Sequence, residues 1–123
     1  MLGFKMVKAR EIVERLYDGQ CTISEYRKIA KPNGATAFSE VVVLQNQPCR
    51  LSHNSEPTTM QTSGGAVVTE EIKLFIAPEI EIKPGSKITV TQYDTTAEYQ
   101  CSGVPRVYQT HQEVLLQIFR GWA

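Results

Sequence analysis

Apolar residues near the start of the chain recur at intervals of four and three, which is the spacing of a single apolar stripe on a helix. The stripe consists of Leu2, Met6, Ala9, Val13 and Leu16. It predicts a helix over residues 2–18. Gly19 follows immediately, and glycine is the residue that most readily adopts the left-handed conformation that ends a helix. We therefore expect the helix to end at Gly19.

From residue 20 onward the pattern changes to alternating or β-branched apolar runs, which are typical of strands. The predicted strands are 20–29, 38–47, 67–76, 87–93, 99–107 and 112–119. Lys31-Pro32-Asn33-Gly34 predicts the turn of a first hairpin, and Pro84-Gly85 separates two later strands. The second strand continues past Pro48 through Cys49-Arg50-Leu51 at a kink or bulge. About six strands at this spacing predict a mainly β fold, a small β-barrel or sandwich, with the helix covering one end or face.

Residues 53–66 follow neither period and are rich in Ser, Thr, Gly and Pro, so the sequence predicts a long polar loop there. A structureless loop of this length is uncommon inside a small domain, where it is usually either functional or disordered. The sequence leaves both interpretations open.

Composition adds limits to this picture. With 123 residues the chain has the size of one domain, so we expect a single domain over 1–123, with a helix at 2–18, a β-barrel at 20–120 and a flexible loop at 53–66. The 13 Lys and Arg residues balance 13 Asp and Glu residues, so no overall field attracts nucleic acid or anionic lipid. No apolar run approaches the ~20 residues that span a bilayer, and we expect a soluble, unprocessed chain. Neutral charge with 41% hydrophobic residues favours oligomerisation.

The chemistry-bearing residues form no recognisable catalytic or metal-binding motif. Cys21, Cys49 and Cys101 are odd in number, lie far apart and contain no CxxC pair, which favours buried free thiols in a reducing cytoplasm. Together with His53 and His111 they lack the spacing of zinc ligands. Nucleophilic catalysis would need Cys101 and His111 to meet across neighbouring strands. We therefore expect no enzyme, no metal and no cofactor.

Two kinds of binding, to nucleotide phosphates and to single-stranded nucleic acid, are alternatives for this sequence. Ser63-Gly64-Gly65 is not followed by the GK[ST] sequence of a phosphate-binding loop. Aromatic and basic residues on the strands could instead stack bases and reach phosphates in the manner of an OB-like single-strand nucleic-acid-binding module. These residues are Tyr26, Tyr93, Tyr99, Tyr108, Arg27, Lys87 and Arg106. The simpler interpretation is that the tyrosines pack their rings on the sheet and leave their hydroxyls in water.

A series of short sequence features resembles a known class of viral proteins. The features are Pro48-Cys49-Arg50-Leu51, K-L-F-I-A-P at 73–78, I-K-P-G at 82–85 and G-V-P-x-V-Y-x-x-H-Q-E-V at 103–114. Over residues 20–120 this order resembles the small minor capsid proteins of Firmicutes tailed phages and prophages. These proteins are similar to head-completion, or stopper, proteins, which join the head to the tail.

The resemblance implies a β-barrel protomer that forms a ring below the portal or adaptor, closes the head after DNA packaging and offers a surface to the tail. Implied partners are further copies of the chain, the portal or adaptor protein, a tail-completion or tail-terminator protein and packaged DNA, with no membrane. The implied location is the head–tail interface of the virion, after synthesis in the host cytoplasm. A tail-completion or tail-terminator role is the alternative, since it shares the ring assembly.

In stopper proteins a long loop projects into the channel and blocks DNA exit, so the resemblance implies a gating role for the polar segment. Its residues are His53, Asn54, Ser55, Glu56, Pro57, Thr58, Thr59, Met60, Gln61, Thr62, Ser63, Gly64 and Gly65. The segment has one acidic residue and no Lys or Arg, and affinity for phosphate comes from neutralising cations. We therefore expect it to retain DNA by steric closure.

Overall fold

A computed structural model describes residues 9–62 and 65–122 of the chain, and it describes side chains for those residues outside 55–70. The predicted mainly β fold is confirmed: one short helix at residues 9–14 precedes seven strands that form a single antiparallel sheet. The strands are β1 Gly19–Ala30, β2 Thr36–Thr62, β3 Gly65–Ile76, β4 Lys87–Gln92, β5 Thr95–Cys101, β6 Arg106–Val107 and β7 Gln112–Ile118.

The strand pairings close into a ring. The sheet order is β3-β2-β1-β4-β5-β7-β6, and β3 also pairs with β7, so the circuit β1-β2-β3-β7-β5-β4 returns to β1. The short β6 pairs with the start of β7 beyond the end of β5. Alternate side chains of the six strands point into the ring and form one apolar core. The core consists of Cys21, Ile23, Cys49, Ile72, Leu74, Ile76, Ile82, Ile88, Val90, Tyr99, Cys101, Val114 and Leu116.

The described part of the predicted 2–18 helix is helical at 9–14 only, and residues 2–8 lie outside the described residues. The prediction that Gly19 ends the helix is wrong, because Gly19 is the buried first residue of β1. A Cβ atom there would lie 3.0 Å from Gln92 Oε1 and 3.2 Å from the Thr91 carbonyl oxygen. Glycine is therefore required by close packing of β1 against β4.

Strand β2 is 27 residues long and serves two different parts of the ring. Residues up to Cys49 pair with β1, and residues from Cys49 onward pair with β3. The predicted irregularity in this strand is present before Pro48, where the register with β1 shifts twice and Asn46 has a φ of 55°. Asparagine is one of the few residues that tolerate this left-handed conformation. The bulges bend β2 so that one continuous strand joins both pairings.

The prediction of a loop without secondary structure at 53–66 is wrong for the described residues. Residues 53–62 continue β2, Gly65 begins β3, and the two strands pair from His53 opposite Ile72 to Thr62 opposite Gly65. Residues 63–64 lie outside the described residues. The three threonines of the segment have high strand propensity. The segment lacks the alternation of apolar and polar residues by which a half-buried strand is recognised, because the ribbon projects away from the core.

The predicted strands at 87–93 and 99–107 are also corrected. A two-residue turn at Tyr93 and Asp94 ends β4, and β5 begins at Thr95 rather than at Tyr99. Both turn residues have positive φ, 53° and 61°, which is the backbone of the tight turns that suit twisted hairpins. Asp94 indicates a turn after the predicted strand, but tyrosine is not a typical turn residue, so the sequence did not indicate that Tyr93 belongs to the turn or that β5 begins at Thr95.

Asp94→Gly is expected to stabilise the protein by about 0.5–1 kcal/mol, because glycine adopts positive φ without the steric cost that other residues pay. For a domain of this size the melting temperature should rise by about 2–5 °C. Differential scanning calorimetry measures the shift. Thr95→Gly is the matched control, since Thr95 is in extended strand and should lose stability. A lower melting temperature for Asp94→Gly would contradict the turn assignment.

Candidate assembly surfaces

Two β-ribbons extend beyond the closed part of the sheet. The 53–71 ribbon consists of residues 53–62 of β2 and 65–71 of β3, because β7 pairs with β3 only from Ile72 to Ile76. The 25–41 ribbon consists of residues 25–30 of β1 and 36–41 of β2 with the turn between them, because β4 pairs with β1 only up to Ser24. Among the described residues, neither ribbon has a further strand on its outer edges.

The 53–71 ribbon contains every residue of the predicted gating segment that the structure describes; Ser63 and Gly64 lie outside the described residues. His53 and Asn54 are exposed where the ribbon leaves the ring, and the His53 ring lies edge-on to Tyr99 at 6.5 Å. Seven β3 residues lie beyond the last one paired with β7, so the ribbon reaches about 20 Å past the ring. The twelve residues 57–68 contain no charged side chain. The described part of the predicted segment therefore lies in a projecting hairpin with Glu56 as its one charged residue, while its gating role stays a prediction.

The turn of the 25–41 ribbon follows the sequence prediction. The Gly34 amide donates to the Lys31 carbonyl at 3.0 Å, the Ala35 amide donates to Asn33 Oδ1 at 3.0 Å, and Gly34 has a φ of 86°. Pro32 and Asn33 therefore lie in a tight turn that requires a glycine after it. The sequence predicted this hairpin but not its projection, which depends on where β4 stops.

An aromatic cluster lies on one face of the 25–41 ribbon. Tyr26 stacks on Phe38 at 5.4 Å between ring centroids and on Trp122 at 5.2 Å, and Trp122 contacts Phe119 edge-on at 5.0 Å. Trp122 Nε1 donates to Glu40 Oε1 at 3.1 Å. Phe38 nevertheless remains 60% exposed. The chain end packs over the base of the ribbon and leaves apolar surface uncovered farther out.

Ion pairs connect the base of this ribbon to strands β4 and β5 of the sheet. Lys87 on β4 lies 3.0 Å from Glu40 and 3.2 Å from Glu98, and its Nζ lies 5.2 Å from the centroid of the Phe119 ring. The hydrogen bond to Glu40 raises the pKa of Lys87, and Lys87 in turn lowers the pKa of Glu40. Lys87 thus offsets one of the two carboxylate charges at the base of the ribbon.

The helix is held on the outside of the ring by polar contacts. Arg10 donates to Glu79, in the connection between β3 and β4, and to Glu14 at 2.8 Å. These bonds raise the pKa of Arg10, and Arg10 lowers the pKa of Glu79. Arg50 Nη1 donates to the Leu16 carbonyl at 3.4 Å. The helix position is thus set by its ends rather than by deep burial.

A cleft of about 330 Å³ separates the helix from the sheet. Its lining is mostly apolar and consists of Val13, Leu16, Tyr17, Arg50, Phe75 and His111. The Tyr17 hydroxyl is buried without a hydrogen-bond partner among the described residues, and burial raises the pKa of Tyr17 to about 12. The cleft is a second surface where apolar side chains remain partly uncovered.

All three cysteines are buried and free, as the sequence predicts. A hydrogen bond with Cys49 and burial raise the pKa of the Cys21 thiol. The Cys101 thiol donates to the Gly103 carbonyl at 3.2 Å, and burial raises its pKa as well. His111 stacks on Tyr108 at 5.0 Å and lies 5.8 Å from the Phe75 ring. The recorded contacts of Cys101 and His111 are thus with other groups and not with each other.

The aromatic and basic residues that could have bound nucleic acid lie in separate parts of the structure. Tyr99 is 7% exposed and belongs to the core, so it is not available for base stacking. Tyr93 donates to Asp18 Oδ2 at 2.7 Å, and Arg27 pairs with Glu25 at 2.8 Å. Tyr26 and Tyr108 each stack on side chains of this chain. A continuous row of base-stacking rings with adjacent free cations is not formed by these residues.

The described residues contain neither a group of metal ligands nor a membrane-spanning helix. Within 9–62 and 65–122, no three His, Cys, Asp or Glu side chains are grouped so that they could hold a metal ion. In the same part of the chain no helix has both the length and the apolar character needed to cross a membrane.

Few known proteins are similar to this chain. No protein-family model matches it, and no curated protein sequence matches it. Among solved structures it is similar to the phage-like element PBSX protein xkdH from Bacillus subtilis, with 15% sequence identity and a TM-score of 0.46. The alignment covers 79% of this chain and 90% of that chain. The surfaces of this chain are therefore the basis of the functional proposal.

Proposed function

We propose that this chain is a structural head–tail connector protein of a tailed phage or prophage. It forms a ring below the portal or adaptor, closes the head after DNA packaging and provides the surface to which the tail attaches. The observation that carries the proposal is the 53–71 ribbon, a projecting hairpin whose twelve outer residues contain no charged side chain. Such a ribbon suits a channel plug, because it obstructs DNA without the cations that would bind phosphate.

The closed sheet supports this role in a second way. A closed sheet has no edge strands that would pair at random with other chains. Among the described residues the two ribbons have unpaired edges, as do the short β6 and residues 95–98 of β5, so the ribbons are two of the places where neighbours could pair. Exposed apolar side chains at Ile29 and Phe38, which are 40% and 60% exposed, add surface that an assembly would bury. The ribbons thus provide contacts between subunits, and the closed sheet of each subunit provides a rigid body.

The first test removes the gene from the phage or prophage that encodes the chain. Negative-stain electron microscopy of the resulting particles should show heads that have lost their DNA beside free, complete tails. A tail-completion role would instead leave filled heads and aberrant tail ends. Normal joined virions would overturn the connector proposal.

Shortening the 53–71 ribbon tests the plug directly. Replacing residues 57–68 by Asn-Gly joins the pair Glu56 and Thr69 through a two-residue turn that suits a hairpin. We expect an unchanged fold, because the paired core lies outside the deletion, but most heads should lose their DNA. The measurement is nuclease-protected DNA per assembled head, with the melting temperature of the purified chain as a check on folding.

The control for this variant keeps the ribbon at full length. Thr58→Ser combined with Thr59→Ser preserves the number of residues and the absence of charge, so DNA retention should be normal. If the shortened ribbon retains DNA as well as this control does, the plug assignment is wrong, whereas a ring-forming role would still stand.

A further inference from the structure

The two ribbons carry opposite charge. The 25–41 ribbon contains three basic residues, Arg27, Lys28 and Lys31, and two acidic residues at its base, Glu25 and Glu40, which pair with Arg27 and Lys87. In the 53–71 ribbon there are three acidic residues, Glu56, Glu70 and Glu71, and no Lys or Arg. The chain as a whole is neutral, so this separation of charge is a local property of the ribbons.

The charges are placed at defined positions. Arg27, Lys28 and Lys31 are exposed around the turn of the 25–41 ribbon. In the 53–71 ribbon the carboxylates belong to three consecutive pairs of opposite residues, at positions 54–56 of β2. The uncharged residues 57–68 lie beyond them. Acidic groups therefore occupy the base of one ribbon, while basic groups occupy the outer half of the other.

The ribbons also lie at opposite ends of one strand. Residues 36–41 at the start of β2 belong to the 25–41 ribbon, and residues 53–62 at its end belong to the 53–71 ribbon. Two complementary surfaces at different places on one molecule fit a heterologous contact, in which one surface meets the other on the next copy. Contacts of this type generate rings when the rotation between copies closes.

We infer that the outer half of the 25–41 ribbon of one copy packs against the acidic base of the 53–71 ribbon of the next copy. This inference rests on the proposed ring assembly and identifies the contact that builds it. Ile29 and Phe38, both exposed, supply apolar area at the basic side. Residues 57–68 extend past the contact, so the ribbon that joins neighbours also carries the plug.

Charge reversal at both surfaces tests this contact. Lys28→Glu with Lys31→Glu makes the first ribbon acidic, and Glu56→Lys with Glu70→Lys makes the second ribbon basic. Glu71 is left in place because it pairs with Lys73 at 3.2 Å within the same chain. Either double variant alone brings like charges together across the contact, so self-association should weaken about tenfold or more. The chain that carries all four substitutions should associate like the original.

Sedimentation velocity over a concentration series measures self-association of each purified chain, in low salt and in about 1 M NaCl, where the Debye length is only about 3 Å. The original chain should associate in low salt and less so in high salt. Two double variants change net charge by equal amounts away from the ribbons: Arg15→Glu with Arg120→Glu, and Glu11→Lys with Glu81→Lys. All four control positions are exposed. These controls should associate like the original chain.

The outcomes separate this contact from the proposed function. Recovery of association in the fourfold variant supports the contact, because it restores complementarity at these positions; it also restores the neutral net charge, and the control variants show whether net charge alone weakens association. Association that ignores salt and both reversals overturns the contact but leaves a ring-forming role intact. A chain that stays monomeric in low salt at every concentration overturns the contact as well. Normal virions after gene removal would overturn the connector function, while the sedimentation result would still decide the contact.

Discussion

Ile88→Asp is expected to unfold the protein. Ile88 is fully buried in β4, where it lies opposite Ile23 of β1 and Tyr99 of β5, both of them core residues. The substitution removes apolar burial and places a carboxylate without a partner in the core. Together these changes cost about 5 kcal/mol or more, which approaches the total stability of a typical domain. Circular dichroism and thermal denaturation measure the loss.

Val42→Asp is the matched control for this substitution. Val42 is also a β-branched strand residue, but its side chain is 45% exposed, so a carboxylate there stays hydrated and should cost about 1 kcal/mol or less. Ile76→Asp should behave like Ile88→Asp, since Ile76 is also fully buried. Equal melting temperatures for Ile88→Asp and Val42→Asp would contradict the assignment of β4 to the core.

Gln112→Leu is expected to have the second largest effect, about 2–4 kcal/mol, through the loss of two buried hydrogen bonds. Gln112 begins β7 and is only 1% exposed. Its Nε2 donates to the carbonyl of Ala77 at 2.8 Å and to the carbonyl of Ile80 at 2.5 Å. Leucine has a similar volume but leaves both carbonyls without this donor. Chemical denaturation gives the change in free energy of unfolding.

The same substitution should loosen the connection between β3 and β4, because Gln112 is a side-chain anchor for that segment. Amide hydrogen exchange at residues 77–86 should become faster in Gln112→Leu. Gln117→Leu, on the same strand but exposed, should change neither the stability nor the exchange rates appreciably. A stability loss of equal size in both variants would show that the buried hydrogen bonds are not its cause.

Arg10 provides a reason to expect that the helix and this connection move together. It bonds Glu79 within residues 77–86 from its position on the helix. The helix also lies over the apolar cleft that includes Phe75 and His111. The outer surface of the ring near the end of β3 is therefore stabilised by a small number of polar contacts rather than by continuous packing.

Several elements could be predicted from the sequence because their signals are local. The Lys31-Pro32-Asn33-Gly34 turn has the residues that its backbone needs, and the structure forms it there. The apolar runs at 67–76 and 87–93 include Ile76 and Ile88, which are fully buried. The three cysteines are buried and free, as their spacing indicated. The unusual composition of 53–65 also marked the segment that forms the outer part of a ribbon.

Other elements were missed because they depend on contacts between distant parts of the chain. Pairing of residues 53–62 with 65–71 follows from the continuation of β2 and β3, which no local period reports. The neighbours of Gly19 along the chain give no reason for a glycine; it is favoured there because Gln92 and the Thr91 carbonyl approach it closely. The turn at Tyr93 and Asp94 carries no glycine or asparagine to announce it.

The sequence by itself determined the mainly β class, the burial of the three cysteines and the separation of charge between 26–39 and 53–71. These depend on residue type and local spacing, which the chain displays directly. Only the tertiary structure decided that the strands close into a ring and that the two charged segments project from it as ribbons. Projection depends on where β4 and β7 stop pairing with β1 and β3, and such long-range register is set by packing across the whole sheet.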